Sequence, residues 1–201
     1  MDKYVIWGET KSEVVVWIEP SGSVSELLKP GVIEAELKTP NLQSLGIIVD
    51  ADDQRDARWA SISQRCQGVI ADFPKKLPPE GLIHVTPTGF RVGVWIMPDN
   101  QSTGMLETFL SEMVPSDQNP LWTFARNARA EAKGHGASNI DAHRDKADIH
   151  TFLAWVNPPG QQLHTAVMRK SLDAQTPLGQ RFAQWFVELF QLVPRDPAIF
   201  Q

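Results

Sequence analysis

Leu45-Gly46-Ile47-Ile48-Val49-Asp50-Ala51-Asp52-Asp53 is the stretch that decides the fold class. A continuous apolar run without alternation, ended abruptly by carboxylates, predicts a strand buried on both faces of a parallel sheet. Immediately downstream, Ala57, Ala60, Ser61, Gln64 and Arg65 lie in a stretch without helix breakers, and Trp59, Ile62 and Cys66 set an apolar stripe at i, i+3, i+7. A helix therefore follows the strand, and Gly68 marks its end. Strand then helix calls for an α/β architecture in which helices cover a sheet.

Working outward, residues 4–7 and 14–18 are rich in β-branched and aromatic types that suit strands. The gap between them is about half the dozen residues that a parallel crossover needs, so they form a hairpin or one interrupted strand. Residues 24–28 read as a short helix entered through Ser23, and residues 33–38 as another helical turn stopped by Pro40. Residues 73–81, with three prolines and Lys75-Lys76, are an irregular connection. Residues 81–85 and 91–97 are strands joined by Thr86-Pro87-Thr88-Gly89, a link short enough for a hairpin and too short for a helix. The expected sheet is therefore mixed, though mostly parallel.

Beyond it helices dominate. Residues 105–113 carry Met105, Leu106, Phe109, Leu110 and Met113 on one face, and residues 120–132 are good helix formers ended by Gly134-His135-Gly136. Ile149, Phe152, Leu153 and Val156 mark a third helix, residues 163–172 a fourth, and Phe182, Trp185, Phe186, Leu189 and Val193 a fifth entered through Thr176-Pro177. Without a repeat or a linker, residues 1–201 are read as a single three-layer α/β domain.

The composition fits that reading, with 42% hydrophobic and 21% charged residues in 201. Cys66 has no partner, which points to a reducing compartment, the cytoplasm by default. The N-terminal apolar stretch is too short for a signal-peptide core, and no run approaches the roughly eighteen residues of a membrane span, so no membrane association is expected. A net charge of -5 provides no basic footprint for nucleic acid, although a metal bridging acidic residues to phosphate would supply one. Seven tryptophans and an acidic surface leave room for a homodimer or a protein partner.

Carboxylates two apart on an extended backbone project from the same side, so Asp50 and Asp52 would face one ligand. Asp50 stands at a strand's carboxyl end, where doubly wound sheets bind ligands, and hard oxygen donors there suit Mg²⁺ or Mn²⁺. The plainer alternative is a polar loop in which Asp53 or Asp56 caps the following helix. Asp99 follows the next strand and Glu107 opens the next helix, so both could complete a metal rim; equally, Asp99 suits a turn and Glu107 the helix dipole. Lys146 and His150 are at i and i+4, where the lysine would stabilise charge on a phosphoryl oxygen and the histidine would transfer a proton or ligate metal, unless the pair is only a solvated flank. His84, His135, His143 and His164 lack ligand spacing, so zinc is not expected, and Cys66 sits on a core stripe where a thiol is inert.

Three segments, LGIIVDADDQRDARW from Leu45, VGVWIMPDNQSTGMLETFL from Val92 and DKADIHTFLAWVNPPGQ from Asp145, together resemble a little-characterised bacterial TOPRIM-like family related to the TOPRIM domains of overcoming-lysogenization-defect nucleases. The resemblance spans residues 20–190. It implies a compact α/β sheet whose strand ends carry a glutamate and a DxD pair that bind Mg²⁺ for phosphodiester chemistry, on nucleic acid or nucleotide phosphate. Asp50 and Asp52 match the DxD, Glu107 falls where the related nucleases carry another acidic residue, and Lys146 lies in the region of a lysine. The pattern departs at residues 1–19, a shortened unit in which Gly8-Glu9 reverses the expected Glu-Gly. Either Glu9 substitutes as general acid/base, giving a nuclease or phosphohydrolase, or the chain is a catalytically degenerate scaffold that serves as a binding or regulatory module.

Overall fold

The computed structural model describes residues 4–7, 14–138 and 141–192. Strands β1 (Tyr4–Trp7) and β2 (Val14–Ile18) pair antiparallel, with Tyr4 opposite Ile18, as a separate two-stranded sheet; the hairpin alternative is the one adopted. Helix α1 (Val24–Leu27) starts at Ser23, whose hydroxyl accepts the Glu26 N–H at 3.2 Å. Helix α2 (Val32–Glu36) follows, with the Glu34 carboxylate accepting the Gly31 N–H at 3.0 Å.

The main sheet has the order β3 (Ser44–Asp50), β5 (Arg91–Met97), β4 (Leu82–Val85). Strand β3 runs parallel to β5, from Ser44 opposite Arg91 to Asp50 opposite Met97, while β4 is antiparallel to β5. The sheet is mixed, as expected, but with one junction of each kind rather than mostly parallel. The expectation for β3 needs correcting too. It is an edge strand and Ile48 is 42% exposed, whereas the strand covered on both faces is β5, whose Val92, Val94, Trp95 and Ile96 are fully buried. A continuous apolar run reports apolar surroundings above and below a strand; it does not report whether a neighbour lies on each side.

Alternation along the sheet divides the interior in two. On one face Ile47, Val49, Val92, Val94 and Ile96 pack against helix α3 (Arg55–Gln67), which contributes Trp59, Ile62 and Cys66. On the other, Trp95 and Met97 meet the side chains of α4 (Leu106–Ser111), α6 (Arg144–Leu153) and α8 (Pro177–Phe190). Helices α5 (Asn119–Ala132) and α7 (Leu163–Met168) complete that layer. Helix α8 approaches closely because Gly46 and Gly93 lie opposite one another on β3 and β5. A Cβ at Gly93 would strike Leu189 and Trp185, and one at Gly46 would come within 3.0 Å of both Leu189 and Phe190.

Three helices are shorter than the periodicity predicted: α4 spans six residues, α6 ends at Leu153 and leaves Val156 beyond it, and α7 ends at Met168, although Leu172 beyond it is buried. Leu106, expected on the buried face of α4, is 40% exposed, and Glu107 is buried in its stead. The anticipated contact of Val193 lies outside the described residues. Among the described residues no helix is long and apolar enough to cross a membrane.

Candidate functional site

The carboxyl ends of β3 and β5 meet the first turns of α3 and α4. The Ala51 N–H donates to the Met97 carbonyl at 3.2 Å, carrying the parallel pairing one residue past β3. Asp52 then adopts φ +51° and exchanges backbone hydrogen bonds with Gly104 at 2.8 and 2.7 Å. The pleat therefore stops before Asp52, and the expected projection of Asp50 and Asp52 from one extended backbone does not occur. Sequence spacing of two fixes a common side only while φ remains in the extended region.

Tertiary contacts bring the two charges together all the same. Asp50 Oδ1 accepts the Leu106 N–H at 2.9 Å, at the start of α4, while Asp52 Oδ2 accepts from Arg58 Nη2 at 2.9 Å, from the first turns of α3. Burial pushes the Asp50 carboxyl above its ordinary value; the Leu106 N–H opposes this, the charges of Asp52 and Glu107 push it further up, and Arg58 opposes them. Glu107 is 8% exposed, and Lys146 Nζ stands 3.7 Å from its Oε1. Helix α6 is held beside α4 by the Thr108 hydroxyl, which donates to Asp145 Oδ2 at 2.5 Å and accepts the Met105 N–H at 3.0 Å.

Asp50, Asp52, Glu107 and Lys146 thus share one neighbourhood. His150 is exposed one turn beyond Lys146. Asp99 is engaged with its own turn, through the Gln101 and Ser102 N–H groups, and feels the charge of Arg181 on α8. Glu9 lies outside the described residues. Beside the acidic turn, an open cleft of about 310 Å³ is lined by Asp53, Arg55, Gln101 and Thr103 among others. The donor chemistry of the carboxylates suits a hard cation, but among the described residues no three or more His, Cys, Asp or Glu side chains are grouped to hold a metal ion.

The chain belongs to the DUF3226 family. That family's model, described as a protein of unknown function, matches residues 1–191. No curated protein and no solved structure matches the chain.

Two arginines of this DUF3226 chain escaped the sequence reading. Arg58 neutralises Asp52, and Arg55 Nε donates to the Asn100 carbonyl at 2.7 Å, tying α3 to the turn after β5. Their only sequence signal is two arginines following an acidic run at a helix start, a pattern shared with ordinary solvated helices. Asn100, quoted only as the neighbour of Asp99, is fully buried at φ +69°, its side-chain oxygen accepting the Ile96 N–H at 2.7 Å.

Proposed function

We propose that this chain is a TOPRIM-like protein that binds Mg²⁺ or Mn²⁺ through Asp50 and Asp52 at the carboxyl end of β3, and acts on or recognises phosphodiester or nucleotide phosphate. One observation carries the reading: Asp50, half-buried at the end of a parallel strand, has its pKa raised first by burial and then by the charges of two further carboxylates, Asp52 and Glu107. A divalent cation would relieve that repulsion. Mg²⁺ is commonly held by one or two carboxylates, with water and substrate phosphate filling the other positions, so a protein cage of three ligands is not required. A bound cation would supply charge neutralisation to a phosphate. Lys146, beside Glu107, is the residue of this chain that would stabilise further negative charge there, and the cleft containing Arg55 gives the rest of a phosphate ligand a place to lie.

The second reading is a degenerate scaffold that binds without chemistry. It is favoured by the partner each carboxylate already has: the α4 N–H for Asp50, Arg58 for Asp52 and Lys146 for Glu107.

Calorimetric titration of Mn²⁺ separates the two. The metal reading expects saturable binding that is lost in Asp50→Ala/Asp52→Ala, and that weakens as pH falls through the raised pKa of Asp50, because protonation removes the ligand. A folded, unsubstituted chain that takes up no Mn²⁺ at neutral pH leaves the scaffold reading. Binding would justify assays of DNA, RNA and nucleotide cleavage.

A further inference from the structure

The two edges of the main sheet differ in length: β4 has four residues and β3 has seven. Among the described residues no strand pairs with the outer side of β3. The Arg91 N–H donates to the Gln43 carbonyl, and the Ala51 N–H to Met97, so odd-numbered residues aim their backbone groups at β5. By the alternation of a parallel ladder, the N–H and C=O groups of Ser44, Gly46, Ile48 and Asp50 point outward. Among the described residues these outward groups have no backbone partner.

Natural edges are usually blunted by proline, lysine, a bulge or a short length, and residues 44–50 have none of these. Ile48 adds an exposed apolar side chain, and Phe190 of α8, half-buried, stands over neighbouring Gly46.

We propose that β3 pairs antiparallel with β3 of a second copy of this chain, about a two-fold axis at Ile47, joining two three-stranded sheets into one of six. An antiparallel pair of identical strands is its own symmetry mate, so one patch serves both subunits and the assembly closes as a dimer. The register follows from the sequence. Only the two-fold at Ile47 pairs all seven residues with the outward groups facing one another, setting Ile48 opposite Gly46 and Asp50 opposite Ser44 of the other copy. Where Gly46 lacks a side chain, Ile48 of the second copy finds Phe190 to pack against. The Ser44 hydroxyl is a donor for the carboxylate facing it. The antiparallel sense also holds the two acidic turns at opposite ends of the joint, so like charges do not meet. The pairing rests on the backbone of β3 and does not require a cation at the acidic turn.

Sedimentation of the unsubstituted chain at about 100 μM should give twice the 22.5 kDa chain mass. Hydrogen exchange on the same sample should show the amides of Gly46 and Ile48 protected at least about tenfold more than on dilution to monomer, since neither has a backbone partner among the described residues. Ile48→Lys, at an already exposed position, should shift the chain to monomer with an unchanged circular dichroism spectrum. A monomer at the higher concentration overturns the proposal. So does a dimer in which those two amides exchange freely, or one that Ile48→Lys does not weaken.

Discussion

Asp99 accepts the N–H groups of Gln101 at 2.9 Å and Ser102 at 2.6 Å, and the Ser102 hydroxyl at 2.9 Å. Partial burial raises its carboxyl, but these bonds and the charge of Arg181 outweigh burial and hold the pKa below the ordinary 3.8. With the folded value below the unfolded one, the ionised form is favoured by the fold. That stability is present above the unfolded value and is lost as pH falls through the folded one. Asp99→Asn should therefore cost about 1–2 kcal/mol at pH 7, and the difference from the unsubstituted chain should shrink steadily below about pH 4, as read by urea unfolding. A loss of the same size at every pH would mean that ionisation of Asp99 plays no part in the turn. In sequence, Asp99 offered both a turn and a metal rim, because turn chemistry and hard-cation chemistry draw on the same residue types. Asn100 could not be singled out, since its importance comes from burial beneath the loop, where its amide also donates to the Pro79 carbonyl at 3.2 Å.

Helices α5 and α6 are joined by a buried ion pair, Arg129 Nε to Asp148 Oδ1 at 2.7 Å and Nη2 to Oδ2 at 3.3 Å, with Asp148 3% exposed. Removing one partner leaves an uncompensated charge, so Asp148→Ala should destabilise the chain by about 3–5 kcal/mol in chemical denaturation. Arg129→Met combined with Asp148→Leu should cost clearly less than the sum of the two single changes; strict additivity would show that the pair is not coupled. Periodicity located both helices and the buried stripe of Ile149, Phe152 and Leu153, yet gave no hint of Asp148, which interrupts the stripe as a charge. It misjudged α4 for a related reason. In six residues a helix makes under two turns, and contacts decide its orientation, so Glu107 turns inward toward Lys146 while Leu106 takes the exposed place beside Asp50. The neighbourhood of Asp50, Glu107 and Lys146 was thus foreseeable as a set of strand-end and helix-start residues. Its arginine partner was not, because Arg58 acquires its role only when α3 docks.

Across the whole molecule, the order of strands and helices was readable from composition and period, whereas the two-core arrangement depends on which strand is central, a property of pairing that no single segment encodes. Cys66 reports on one of those cores. It is fully buried between α3 and the sheet, and burial, with the nearby charge of Glu34, pushes its thiol up to about 12. A thiol-specific disulfide reagent at pH 8 should leave the folded chain unlabelled and react stoichiometrically in guanidinium; rapid labelling without denaturant would mean that the α3 layer opens locally. The paired glycines beneath Leu189 carry a different consequence. If β3 slid two residues along β5, Gly46 would face Arg91 or Trp95, and the side chain of Ile48 or Ser44 would enter the notch in which Leu189 rests. Helix α8 therefore works as a detent that holds β3 in one position along its neighbour, and through it sets how far the acidic turn protrudes above the sheet.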